Sequence, residues 1–522
     1  MGTTLNRDDL TAKQIDSTGK SKWAIFLPAL SSFYSTFVGK QRHTADYVDP
    51  ARIPADFETG VEGLNWLNKE EAYFPYKWAL YSAGHAELDV NKFSPKEDMI
   101  RNRDRKNSFV LGDSGGFQIG KGVWEGNWKD VNCPKASLKR KQVLSWMDAY
   151  MDRGMTLDIP AWVSRSPAGA KATGVSTYDE AVAATNINND YFMRNRSGNC
   201  KFLNVLQGEN HTDATDWYQR MKHYCDPAQH DQPFEGWAMG GQLMCSPTLV
   251  LKMLITMRDD KLLEKGKHDW MHFLGTSRLE WAMLLTDMQN AVRKHHNEDF
   301  TISFDCASPF LATANGQIYV QNKFQDRKKW AYRMTASVDD KKYAVDTRRF
   351  SDAVLTDNIF SIFEESPITE RCLIKDICIY KPGDLNKIGK EGKTSWDSFS
   401  YAIQMGHNVH RHLTAVQEAN RLYETKTSCP AMLVDERHDR LYMTDLINEI
   451  FANDTGKALQ LIDDHDKFLT GVIGGRGSTG KKETNAGTFF DTLFEEKGAK
   501  DEHHIDDSGL DETNLDDLEK DV

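Results

Sequence analysis

The chain has no stretch of about 18 consecutive apolar residues, the length that a membrane-crossing helix needs. Its opening residues, MGTTLNRDDLTAKQ, are too polar for a secretory signal, and Asn6 stands where N-myristoylation requires Ser or Thr. Eight cysteines spread over 522 residues do not make a disulfide framework. Reduced thiols in a cytoplasm are therefore expected. No solenoid-type repeat is present. Positive charge is also short, with a net charge of −12. Residues 501–522 hold ten acidic residues and one lysine, which leaves about −3 on the preceding 500. That tail reads as disordered, with almost nothing apolar to bury, so its removal is expected to leave folding intact. Basic clusters occur at 101–106, 135–141 and 323–349, the last with nine Lys/Arg against four Asp. Such clusters are ordinarily solvated faces, and they are also what a near-neutral protein needs to hold a polyanion.

What the chain does contain is enough for a large core: 39% hydrophobic and 11% aromatic residues. Short apolar runs recur at 24–30, 78–82, 109–111, 156–159, 202–206, 236–239, 272–274 and 301–304. Continuous apolarity of this kind suits parallel strands buried on both faces. Helix signals lie between several of them. Ser246 precedes Pro247 as a cap, Ser277 and Glu280 have capping-box spacing, and Thr212 can cap a helix through 216–223. This alternation predicts an α/β fold, a (β/α)8 TIM-like barrel with insertions. The first two crossovers are long and show no clear single helix. Helices at 400–424 and 432–453 predict a C-terminal helical extension. The expected organisation is a tail at 1–20, the barrel over 21–425 and helices over 426–470. A flexible basic loop and the acidic tail follow over 471–522. The loop at 474–482, GGRGSTGKK, falls short of a phosphate-binding loop because Lys482 takes the Ser/Thr position.

Polar residues gather where strands end. In 108–118, SFVLGDSGGFQ, an apolar run is broken by Gly112 and followed by Asp113, Ser114, Gly115, Gly116 and Phe117. A carboxylate at a strand end beside paired glycines suits a place where backbone must approach a flat ligand. Segment 302–316, ISFDCASPFLATANG, repeats the pattern around Asp305. Asp158 follows the fourth run, Gln207 and Gly208 the fifth, Gly240, Gly241 and Gln242 the sixth, and Gly275 and Thr276 the seventh. Singly, each is a turn or cap residue. Together, at the C-terminal ends of barrel strands, they read as one pocket.

The run Asp113, Ser114, Gly115, Gly116, Phe117, Gln118, with Phe304, Asp305, Cys306, Pro309, Asn315 and Gly316, resembles the signature of the tRNA-guanine transglycosylase family. The resemblance covers roughly residues 75–320, with an echo to about 425 where His407-Asn408 is similar to the His-Asn of the family's last helix. It implies that Asp305 is the nucleophile of a base exchange, forming a covalent glycosyl intermediate, and that Asp113 is the general acid/base. It further implies that Asp158 accepts from N1–H and the amino group of guanine. Gln207 and the Gly241 N–H would take the carbonyl edge. Ser114, Gly115, Gly116, Gly240 and Gln242 would line the base site, and Phe117 and Met239 would sandwich the ring. No cofactor is needed for this chemistry, and a homodimer is left open.

Departures from the family pattern carry information too. The family's zinc site is reduced to Cys372, Cys378 and His407, a spacing that allows at most a rearranged site, against two buried thiols. Leu311 and Ala314 stand where the tRNA-directed relatives have arginines. With the basic insertions and the opening FLPALSSFY at 26–34, these departures resemble the DpdA-type DNA-guanine transglycosylases of phages and bacterial modification clusters. The expected partner is then DNA with its target nucleotide flipped out. The expected small substrate is a 7-deazaguanine such as 7-cyano-7-deazaguanine, and the expected outcome is protection from restriction. The alternatives are a tRNA-guanine transglycosylase and, in a different class, a non-catalytic nucleic-acid-binding subunit.

Overall fold

The computed structural model describes residues 7–41, 48, 50–94, 97–208, 210–244, 246–314, 316–325, 330–336, 341–343, 345–353, 363–377, 398–436 and 440–472. Its centre is a sheet of eight parallel strands: β1 (Ile25–Pro28), β2 (Trp78–Ser82), β3 (Phe109–Asp113), β4 (Arg153–Met155), β5 (Lys201–Leu206), β6 (Gly236–Met239), β7 (Trp270–Phe273) and β8 (Thr301–Cys306). From β2 to β8 each strand pairs with the next, and β8 pairs with β1. Between β1 and β2 a single bridge, Ala29 with Leu80, brings the sheet round on itself, reinforced by Leu30 N–H to Leu80 O at 3.0 Å. With helices outside and a helical C-terminal region, this is the expected (β/α)8 barrel. No helix among the described residues is long and apolar enough to cross a membrane.

The helices used below are α1 (Gly116–Gly120), α2 (Pro134–Tyr150), α3 (His211–Met221), α4 (Pro247–Asp259), α5 (Leu279–His295), α6 (Ser308–Ala314), α7 (Ser398–Glu424) and α8 (Met443–Ala452). Ser246 caps α4 as expected, its hydroxyl accepting from Leu249 N–H. Two caps differ from expectation. Asn210, not Thr212, caps α3, because its side chain reaches the Asp213 N–H and leaves Thr212 inside the first turn. The Ser277–Glu280 box does not form, since α5 starts only at Leu279 and Glu280 accepts from the Trp330 N–H at 3.2 Å. The expected helix over 432–453 begins only at Met443, and Val434–Asp435 pairs instead with Leu441–Tyr442. This region is tied to the barrel by Asp287 on α5, which accepts from Tyr423 Oη on α7 (2.8 Å) and Thr444 Oγ1 on α8 (2.5 Å). Burial pushes that carboxyl up to about 7.

Two strands depart from their expected limits. Gly112 does not end β3; it pairs with Tyr81 and Gly154. A Cβ there would meet Met151 Cγ at 2.7 Å, so the glycine admits a neighbouring side chain and leaves the ladder intact. The fourth strand is Arg153–Met155, just ahead of the more apolar 156–159. Gly154 lies in it because Met147 Sδ would stand 2.6 Å from a Cβ.

Alternation along the strands sorts side chains into layers. On β3, Phe109, Leu111 and Asp113 share a face, and on β8, Thr301, Ser303 and Asp305 do. Phe109 and Trp270 stack across the lower end of the barrel with centroids 4.7 Å apart, and the Arg153 guanidinium lies 5.0 Å from the Trp270 ring. The floor is thus aromatic, and the carboxylates lie at the opposite, C-terminal end.

The basic segment 101–106 lies at the floor end, because it leads into β3. Its arginines are spent internally: Arg101 pairs with Glu97 (2.8 Å) and Arg103 with Asp152 (2.6 Å), while Arg105 caps the end of α2 through Met151 O (2.6 Å). It therefore cannot flank a ligand at the carboxylate end. Residues 135–141, in contrast, open α2 on the carboxylate side.

Candidate functional site

The upper layer of the barrel is polar. Ser82 ends β2 directly beside Asp113 on β3, and its hydroxyl donates to Asp113 Oδ2 at 2.6 Å. The chain then turns through Gly115, whose φ of +80° favours glycine, into α1. Burial raises the Asp113 carboxyl above the usual carboxylate range, and the nearby Asp305 charge adds to this. The Ser82 hydroxyl, the Gly115 N–H and His85 oppose the rise without cancelling it. Ser114 is buried beside it.

Asp158 follows β4 and is buried. Gln207, at the end of β5, donates from Nε2 to Asp158 Oδ2 at 2.8 Å. Burial, with the Asp113 charge nearby, pushes Asp158 up to about 7 against the pull of Gln207. Three glycines let backbone crowd this pair. A Cβ on Gly240 would lie 2.8 Å from Gln207 Nε2, and one on Gly241 (φ +55°) would lie 2.3 Å from Gly208 O. A Cβ on Gly116 would lie 2.8 Å from Asp158 Oδ1 and 3.0 Å from its carbonyl oxygen. The expected residues Asp113, Ser114, Gly115, Gly116, Asp158, Gln207, Gly240, Gly241 and Asp305 therefore meet at one end of one barrel. Gln242 enters the short turn Gly241–Met244, and its side chain lies outside the described residues.

The contact at Gly116 yields a direct test. On the expectation that Asp158 reads a guanine or 7-deazaguanine base, Gly116→Ala should weaken binding of the free base at least about tenfold, some 1.4 kcal/mol, because the methyl displaces the Asp158 carboxyl. Calorimetric titration checks this, and unchanged affinity in a folded variant would remove Asp158 from the base site.

Asp305 is held from one side. Its Oδ1 accepts from His272 Nε2 (3.0 Å) and from the Gly275 N–H (3.0 Å). His272 Nδ1 lies 2.9 Å from Ser303 Oγ, which in turn accepts from Trp270 Nε1 at 2.8 Å. His272 and Ser303 are fully buried. The sequence reading passed over Ser82, Trp270, His272 and Ser303. A signal for them existed: Ser303 stands two residues before Asp305, on the same strand face, and pairs in register with His272.

Aromatic and cationic groups cluster in the segment that follows β3. Phe117 stays half-buried with its ring 6.0 Å from Trp162, and Lys121 Nζ lies 5.3 Å from the Phe117 centroid. Trp124 packs over Gly115, and Lys139 of α2 lies 4.6 Å from its ring. Met239, expected on the other face of a base, is fully buried in β6.

Of the expected metal ligands, His407 and Cys372 are engaged by other partners. Both ring nitrogens of His407 are occupied, Nδ1 by Ser366 Oγ (2.9 Å) and Nε2 by Tyr319 O (2.8 Å). The Cys372 thiol donates to Ile368 O at 3.3 Å and is held protonated by burial. Cys378 lies outside the described residues, as do Asn315 and residues 473–522. No group of three or more metal-binding side chains occurs among the described residues. Leu311 and Ala314 both lie in α6, where Leu311 is buried in the core. Compared with family models and with curated proteins, the chain matches none of either.

Proposed function

We propose that this protein exchanges guanine in DNA for a 7-deazaguanine by transglycosylation. The observation that carries the reading is the meeting of Asp113, Asp158, Asp305 and the Gln207 amide at the C-terminal end of one barrel. Asp305 attacks C1′ and forms a C1′–O bond as the C1′–N9 bond breaks. The electron pair leaves with the guanine, and Asp113 supplies its proton, a role suited to a carboxyl held above its usual range. The incoming base then gives its ring proton to Asp113 and attacks C1′, which returns Asp305 as a carboxylate. Two inversions retain the β configuration. Ionised Asp158 accepts from N1–H and the exocyclic amino group, a donor pair that guanine and its 7-deaza analogues share.

DNA is favoured over tRNA by the apolar Leu311 and Ala314 on α6 and by the cations of α2 and Lys121 on the carboxylate side. Segment 101–106 gives this choice no support. A 7-deazaguanine lacks the N7 acceptor that proteins read in the major groove, so its insertion would blind nucleases that contact it. The test is incorporation of radiolabelled guanine and 7-cyano-7-deazaguanine into duplex DNA and tRNA in parallel. Labelled DNA is the expected result. Label in tRNA alone would replace DNA by tRNA as substrate, and no label in either, with no covalent adduct, would favour a non-catalytic binding subunit.

A further inference from the structure

We propose that His272 is a positioning residue which, with the Gly275 N–H, occupies Oδ1 of Asp305 and leaves Oδ2 as the oxygen that bonds to the sugar. This rests on the reading of Asp305 as nucleophile. The argument is a donor count along a buried chain. The Trp270 indole can only donate, and its Nε1–H goes to Ser303 Oγ at 2.8 Å. Ser303 has one hydroxyl proton, and among the described residues the polar atom left to receive it is His272 Nδ1 at 2.9 Å. Nδ1 is therefore the acceptor, so the imidazole is the Nε2–H tautomer and donates to Asp305 Oδ1 at 3.0 Å. The Gly275 N–H reaches the same oxygen at 3.0 Å. Among the described residues Oδ2 has no hydrogen-bond partner, and the Asp305 side chain keeps 12% of its surface open.

The two oxygens thus have different duties. In the first step an Oδ2 lone pair forms the bond to C1′ while the C1′–N9 pair departs with the base. Oδ1 becomes the ester carbonyl and keeps both N–H donors. In the second step the incoming nitrogen attacks C1′, the Oδ2–C1′ pair returns to the carboxyl group, and the donors on Oδ1 stabilise the regained charge. Loss of the His272 donor leaves a better nucleophile but a poorer leaving group. The cost should therefore fall mainly on the second step.

His272→Phe is expected to lower kcat for exchange by roughly tenfold to a hundredfold, with KM for the incoming base within about twofold. After incoming base is added to the preformed covalent adduct, the half-life of the adduct should lengthen by the same factor. His272→Gln, which restores an N–H donor, should recover most of the loss. In the wild type the ¹⁵N shifts of His272 should report the Nε2–H tautomer. In Ser303→Ala that preference should weaken. Wild-type kcat and adduct lifetime in folded His272→Phe would overturn the inference, as would an Nδ1–H tautomer in the wild type. Equal losses in the Phe and Gln variants with lowered melting temperatures would also overturn it, since they would mark His272 as packing. A wild type that neither exchanges bases nor forms an adduct would overturn the transglycosylase reading and this inference together, whereas an active wild type with an indifferent His272→Phe overturns this inference alone.

Discussion

Asp305→Asn is expected to abolish base exchange and the covalent adduct together, with a loss of about 10⁴-fold or more. An amide is a poor nucleophile. The fold should survive. The amide oxygen can still accept from His272 Nε2 and the Gly275 N–H, the two donors on Oδ1, and the amide nitrogen then occupies the open Oδ2 position. Denaturing gels of protein incubated with nucleic acid and no incoming base measure the adduct, and a melting curve checks the fold. Exchange at the wild-type rate would sink the assignment of Asp305.

The Asp158 site should show a conflict between binding and stability. The carboxyl titrates near 3.8 in an unfolded chain and at about 7 in the fold. Between those values the folded state holds a proton that the unfolded state has lost, so stability falls as pH rises, and the full penalty is present above about 7. The corresponding energy is on the order of 2–4 kcal/mol. Asp158→Asn removes the ionisation. It should therefore raise the melting temperature at pH 8 and leave it nearly unchanged at pH 4. The same variant should lose at least about a hundredfold in guanine affinity at pH 8, because a neutral amide cannot accept two hydrogen bonds from the base as a carboxylate does. Wild-type affinity should itself improve as pH rises through about 7, as Asp158 ionises. A binding loss that followed a lowered melting temperature would make Asp158 a structural residue.

Much of this was legible in the sequence because barrel strands buried on both faces are short and uniformly apolar. The polar residue that ends each one therefore stands out. Asp113, Gln207, Gly240 and Asp305 were found in that way. The fourth strand was misplaced because Arg153 and Gly154 are poor strand formers by composition. Their place is decided by Met147 and Phe202, which need the missing Cβ. His272 and Ser303 were overlooked because each is a lone polar residue inside an apolar run. Their significance comes from lateral register, which one sequence read along its length does not display. The 101–106 cluster misled for the opposite reason. Its charges are conspicuous in sequence, but the Glu97 that pairs with Arg101 is a local i,i+4 neighbour, and Met151 and Asp152 come within reach of Arg105 and Arg103 only once α2 has packed.

The closure between β1 and β2 bears on how the barrel can deform. β8 and β1 share four paired positions and β2 and β3 share five, whereas β1 and β2 meet at one bridge, supplemented by the Tyr76 hydroxyl on Phe26 O at 2.6 Å. Asp305 rides on the first pair of strands and Asp113 on the second. The width between the two carboxyl groups is therefore the softest coordinate of the barrel wall. A small splaying there would widen the chamber for a departing base while leaving every other ladder intact. Backbone amides along this seam should be the first of the barrel to exchange with deuterium, and a ligand that draws the two carboxyl groups together should slow them most.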